Sequence, residues 1–420
     1  MTFPAAIRRL GALAILAAGV VTCAPQEAPE TGPAPEGRAP EIRVGLATGA
    51  ARVTLAGDSG LTFLDGEGAA LAAAEAGSAW QARAAEGGFT VAGPTGWTIT
   101  GQPAVTIAPR QDGGFVLVNG RAYRGTVQVS RDRSGLTVIN RVGMEDYLTG
   151  VLGAEMGRRD STDAAALAAQ AIVSRTFAIR NLGKRATEGF DLYATVADQV
   201  YGGVPAEYPL ARWAVQSTAG QIVSWEGLPI DAFFFSTCGG RTATGTEVFA
   251  AADRPYLQSV PDTDPDGQPY CRISPRYRWR EEWTGAQLGE VLQRSLPPAA
   301  PGVQAGDVVP VAGVSVTRRT GSERVARLSL TIHRGVVTVE GPAVRQVLRP
   351  VGEASLRSAV FQLIETRAGA RLQKLVAEGA GAGHGVGFCQ WGAVGRARAG
   401  QDAVTILRAY FPGTELSRAY

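Results

Sequence analysis

The chain of 420 residues is 45% hydrophobic and 19% charged, enough apolar material for a core and too much for a disordered protein. Its formal charge of +3 lacks the concentrated basic excess of a nucleic-acid surface, so no nucleic-acid partner is expected. At this length one large or two medium domains are expected.

Residues 1–23 read as an export leader. Arg8 and Arg9 form a basic start, and Leu10–Val21 is apolar but too short to span a bilayer. Val20-Val21-Thr22-Cys23 resembles a bacterial lipoprotein box with Cys23 as the lipidated residue. Thr22 stands where such boxes usually carry Gly, Ala or Ser, so cleavage near Ala24 is the alternative. Either way the mature chain is expected outside the cytoplasm, periplasmic or elsewhere in the outer envelope, with any membrane attachment through a lipid. Residues 24–40 are rich in Pro, Glu and Gly with no large apolar side chain, and read as a tether.

Residues 41–120 alternate in short apolar runs broken by Gly: Ile42 to Leu46, Ala51 to Leu55, Phe89 to Val91, Trp97 to Ile99, Val105 to Ile107 and Phe115 to Val118. These predict strands in a β-rich accessory region. It holds no His, no Cys and no paired carboxylates that point to chemistry.

From Met144 the period changes. Met144, Tyr147, Leu148, Val151 and Leu152 form one apolar stripe of a helix that carries Glu155 at its C-terminal end. The macrodipole disfavours a negative charge there, and burial would push the carboxyl pKa upward, as suits a general acid. The plainer alternative is a surface Glu on a fraying helix end.

Residues 161–183 predict the strongest helix, capped by Ser161 or Thr162 and closed by Gly183. Another helix is expected over 206–219, followed by a hairpin of Gln221–Trp225 and Ile230–Phe235 turning at Glu226-Gly227. Residues 285–296 read as helix, and 309–365 alternate as a small β-rich subdomain near 300–366. A Gly-rich loop, Gly379–Gly387, precedes a helix from Gln390 to Arg398.

Five blocks in this order carry a resemblance. They are Tyr147-Leu148-x-Gly150-Val151-x-x-x-Glu155-Met156; Gln170-Ala-x-x-x-Arg175-Thr176-Phe177-Ala178; Ser236-Thr237-Cys238-Gly239-Gly240; Ser274-Pro275-x-Tyr277-x-Trp279; and Gly383-His384-Gly385-Val386-Gly387-x-x-Gln390-x-Gly392-Ala393. Together they resemble the SpoIID/LytB family over residues 121–420. The resemblance implies an α+β fold with helices around a groove. It also implies that Glu155 is the catalytic acid of a peptidoglycan lytic transglycosylase, with Gln170, Arg175, Ser236, Thr237, His384 and Gln390 as substrate-binding residues.

Glycan strands are then the partner, with a cell-wall amidase as a second one if the chain is a non-catalytic amidase enhancer. Many relatives have His where Phe235 stands, and the cysteines that hold zinc in some members are replaced by Tyr193 and Asp198. The chemistry needs no cofactor. Asp160 and Asp163 are the nearby carboxyls for a hydrolase instead.

After Cys23 the remaining cysteines are Cys238, Cys271 and Cys389. Three thiols allow one disulfide and a leftover thiol, or a Cys3His zinc site with His384 as the fourth ligand.

Overall fold

The computed structural model describes residues 37–249, 252–369 and 371–420. The leader, Cys23 and nearly all of the tether lie outside them. The protein is α+β, with 24 strands and eight α-helices among the described residues. The helices are α1 (Met144–Met156), α2 (Ala164–Arg180), α3 (Pro209–Ser217), α4 (Gly245–Val248), α5 (Gly285–Ala299), α6 (Ala343–Val347), α7 (Gln390–Arg398) and α8 (Ala403–Tyr410).

The alternation along residues 41–143 folds into two sheets over one core. Seven strands run in the order Leu192–Tyr193, Glu41–Ala50, Leu136–Gly143, Thr126–Arg131, Ala104–Pro109, Leu61–Leu64, Ala70–Ala74. A second sheet of six is built from strands between Arg52 and Tyr123. Val53, Leu55, Ala82 and Val91 from one meet Phe63, Val105, Ile107, Val127 and Val129 from the other in one cluster of buried residues. Period-two side chains line that core, while the alternate positions face outward.

The first strand corrects the expected boundary at residue 120. Glu41–Ala50 pairs antiparallel with Leu136–Gly143, from Glu41 opposite Gly143 to Ala50 opposite Leu136. Four of the N-terminal strands, Glu41–Ala50, Leu61–Leu64, Ala70–Ala74 and Ala104–Pro109, therefore belong to the same sheet that launches α1. Leu61–Leu64, Ala70–Ala74 and Trp80–Ala85 were not foreseen; the last two are Ala-rich and lack β-branched residues, and the first is only four residues long.

A second core gathers Trp283, Leu288, Leu292, Leu296, Leu328, Leu330 and Leu375. Its strands are Arg278–Thr284, Arg371–Ala380 and Phe361–Ala368 in one sheet, and Gly313–Arg319, Val325–Ile332 and Gly335–Glu340 in another. The subdomain is thus wider than 300–366. α5 starts on a capping box between Thr284 and Gln287. Residues 379–380 close the strand Arg371–Ala380, so the Gly-rich loop begins only after it.

The expected hairpin forms only in its first half. Gln221–Trp225 turns at Glu226-Gly227 onto Leu228–Pro229, and its other edge takes Glu415–Arg418. Phe234–Phe235 instead runs parallel to Phe388–Cys389. That pairing carries the Ser236–Gly240 turn to the start of α7.

Candidate active site

The cleft forms where α1 ends. Its five stripe residues are buried, which leaves Glu155 half-buried on the last turn. Gly153 lets the following chain lie directly on the helix, for a Cβ there would sit 1.9 Å from the Ala206 carbonyl oxygen. The same segment points the Val200 N–H at Glu155, donating to Oε1 at 2.8 Å. Glu155 Oε2 accepts from the Gln390 side-chain amide at 3.4 Å. Burial pushes the carboxyl pKa up, and the bonds from Val200 and Gln390, which favour the carboxylate, offset this only in part.

Phe177, Phe233, Phe234, Phe235, Phe249 and Trp391 line the same cleft, of about 800 Å³. Such a wall of aromatic faces with a few convergent polar groups is the usual make-up of a ligand site. Arg159 stacks over Trp391 at 4.2 Å and donates to the Met156 carbonyl at 2.8 Å. The sequence signal for this wall was the Phe233-Phe234-Phe235 run, which reads equally as a buried strand.

Asp198 is the second carboxyl lining the cleft among the described residues. Its side chain is 0% exposed. Oδ1 accepts from Lys184 at 2.8 Å, and Oδ2 from Arg185 at 3.0 Å and the Tyr193 N–H at 2.9 Å. Burial alone would raise its pKa, yet these partners hold it below the usual carboxylate range. Arg185 also stacks on Tyr193 at 4.4 Å. An ion-pair cluster therefore occupies the Tyr193 and Asp198 positions, and the residues there do not fit a metal. Asp160 and Asp163 are outside the cleft: Asp160 accepts from Thr162, and Asp163 from Arg398 at 2.7 Å.

Ser236, His384 and Gln390 line the cleft with Glu155. His384 Nδ1 accepts from the Val386 N–H at 3.1 Å, so the Nε2 proton donates to the Phe234 carbonyl at 2.8 Å. Burial drops its pKa to about 4, leaving a neutral ring with both nitrogens engaged. His384 thus holds the Phe234 strand and offers substrate a ring edge rather than a proton.

Gln170, Arg175 and Thr237 are corrections to the expected binding set. All three are buried and none lines the cleft. Gln170 donates to Ser174 within α2, and Thr237 bonds Ser274 at 2.8 Å. Arg175 is 0% exposed and clamps Glu145, in the first turn of α1, through two bonds of 2.9 and 2.6 Å. It cannot reach a glycan or lower the Glu155 pKa. A buried cation facing a first-turn acid of the neighbouring helix is a packing device.

Cys238, Cys271 and Cys389 are buried free thiols that converge behind the Ser236 turn. Their fourth neighbour is Asp262, within 4.8 Å of each sulfur. His384, with both nitrogens engaged, does not complete a Cys3His set.

Comparison with known proteins adds five findings. Residues 132–225 match the profile of the family described as Stage II sporulation protein (SpoIID), and 270–387 match a domain of unknown function (DUF8618). The second match coincides with the smaller core. An uncharacterized protein of Brachyspira hyodysenteriae is 31% identical over 304 residues, covering 72% of this chain and 74% of that one. Stage II sporulation protein D of Bacillus subtilis is 29% identical over 67% of this chain and 76% of its own length. The amidase enhancer of Bacillus subtilis is 28% identical over 64% of this chain, though only 40% of its own length is matched.

Proposed function

The chain belongs to the SpoIID family, and from that premise we propose that it is an exported lytic transglycosylase acting on peptidoglycan glycan strands, with Glu155 as general acid and base. The observation that carries this reading is one half-buried carboxyl, its pKa raised by burial, in an aromatic cleft whose other carboxyl is locked in ion pairs.

Glu155, protonated, gives its proton to the oxygen of the N-acetylmuramic acid to N-acetylglucosamine bond as the bond from the anomeric carbon to that oxygen breaks. The resulting carboxylate then takes the proton from the muramyl C6 hydroxyl, whose oxygen attacks the anomeric carbon. The products are a free N-acetylglucosamine 4-hydroxyl and a 1,6-anhydro end, with Glu155 protonated again. A glycosidase that uses water or an enzyme nucleophile needs a second carboxylate. Here the nucleophile belongs to the substrate, so the engagement of Asp198 costs nothing. Burial raises the Glu155 pKa and so favours the acid form, and Val200 N–H steadies the carboxylate in the second half.

Digestion of purified sacculi, with and without prior removal of stem peptides, tests the reading. The wild-type protein is expected to release 1,6-anhydro muropeptides or glycans, and Glu155→Gln to release none.

A second reading is a non-catalytic glycan-binding enhancer of a cell-wall amidase. It is favoured by the likeness to the amidase enhancer and by the ring nitrogens of His384, both engaged in backbone bonds. Under it, Glu155→Gln still stimulates an amidase to the wild-type extent. Under either reading the chain acts in the cell envelope.

A further inference from the structure

We propose that Cys238, Asp262, Cys271 and Cys389 bind one zinc ion, which fixes the floor of the cleft. The ligands come from four separate stretches: the Ser236–Gly240 turn, the loop through Asp262, the single turn Tyr270–Ile273, and the N-cap of α7. No sheet ladder joins all four, although single backbone bonds link neighbours, such as Asp262 N–H to the Gly240 carbonyl and Tyr270 N–H to the Asp262 carbonyl, both at 2.9 Å.

The geometry fits a tetrahedral thiolate site. Cys238 Sγ lies 3.5 Å from Cys271 Sγ and 3.1 Å from Asp262 Oδ2, with all four ligand atoms within 4.8 Å of one another. Zinc–sulfur bonds of about 2.3 Å place sulfurs about 3.7 Å apart at tetrahedral angles. The observed spacing needs only slight adjustment.

Asp262 is oriented for this work. Arg396 and Tyr410 donate to Oδ1 at 3.0 and 2.8 Å, which leaves Oδ2 aimed at the thiols. Anchoring one carboxylate oxygen so that the other is presented to a metal is the usual outer-shell arrangement. Gly392 makes room for it, since a Cβ there would lie 2.1 Å from both Asp262 Oδ2 and the Tyr410 hydroxyl oxygen.

The sulfurs are also solvated by backbone as thiolates are. Cys238 N–H and Gly392 N–H donate to Cys389 Sγ at 3.1 and 3.3 Å, and Gly240 N–H donates to Cys238 Sγ at 3.3 Å. Three thiolates and a carboxylate bring four negative charges, which a divalent ion and the buried Arg396 largely offset. Thiolate-rich tetrahedral sites favour zinc over magnesium or calcium. A disulfide would use only two of the three sulfurs and leave Asp262 facing a thiol.

The consequence reaches the cleft, because Gln390 follows Cys389 directly and Ser236 precedes Cys238 by two residues. The ion would hold the residue that touches Glu155. The site stands whether or not Glu155 is catalytic.

The test is elemental analysis of the purified full chain, grown with zinc and kept free of added chelator, together with thiol alkylation under non-reducing conditions. The expected result is one zinc per chain, three cysteines alkylated only after denaturation with chelator, zinc lost in Cys271→Ser and Asp262→Asn, and zinc kept in Glu155→Gln. Chelation should also lower the melting temperature of the wild type and leave that of Cys271→Ser unmoved. Substoichiometric metal with either three free thiols or a disulfide in peptide maps would overturn the proposal, as would full zinc occupancy in both ligand variants.

Discussion

Gln390 donates to Glu155 across 235 positions of sequence, joining the first residue of α7 to the last turn of α1. The contact spans the cleft floor, so whatever fixes α7 also positions the Glu155 carboxyl. Because Gln390 favours the charged form of Glu155, its removal should raise the carboxyl pKa further. Gln390→Leu is expected to move the alkaline limb of the pH–rate profile to higher pH and to lower the rate about tenfold, the cost of about 1.4 kcal/mol for one lost charge-assisted bond. An unmoved limb would mean that the two side chains are not coupled in solution.

Glu155 should also be a stability liability. Its folded pKa lies above its unfolded value, so the folded state is favoured below the unfolded pKa and loses that advantage as pH rises through the folded one. Glu155→Gln removes the charge and keeps an oxygen for Val200 N–H. Thermal melts should show the variant at least as stable as wild type at neutral pH, with the gain gone in acid.

His384 titrates in the opposite sense. Burial lowers its pKa from 6.5 to about 4, so its contribution is complete above the unfolded value and is lost as pH falls through that window. The loss is on the order of 3 kcal/mol across the window. Denaturant titrations from neutral to acid pH should show His384→Gln with a shallower acid loss than wild type.

Arg175 separates packing from binding. Removing one partner of a buried ion pair leaves the other uncompensated, which typically costs about 3 kcal/mol or more. Arg175→Met should lower unfolding free energy by that order in denaturant titrations. Its affinity for glycan, measured on the folded fraction, should not change.

Why some of this was legible from residues alone, and some was not, follows from the range of the interactions. The α1 stripe and the α7 boundaries are set by local periodicity and capping, and both appear in the structure as read. Glu155 was singled out through its motif and its place on a helix end, and the structure puts it in the cleft. Gln170 and Arg175 lie on the same helix as the cleft-lining Phe177, and only tertiary packing shows that they face Ser174 and Glu145 instead. Asp262 lies in no block that carried the resemblance, so the fourth neighbour of the thiols was invisible until the chain was folded. The boundary at residue 120 failed for a similar reason, since the pairing of Glu41–Ala50 with Leu136–Gly143 leaves no mark on either strand alone.

The most direct measurement is mass spectrometry of products from a defined glycan strand stripped of peptides, incubated with the wild-type chain and with Glu155→Gln. The account predicts that wild type yields fragments ending in 1,6-anhydro-muramic acid, with no water incorporated, and that the variant yields none. Equal yields from both proteins, or reducing ends carrying oxygen from labelled water, would contradict a single-carboxyl transglycosylase.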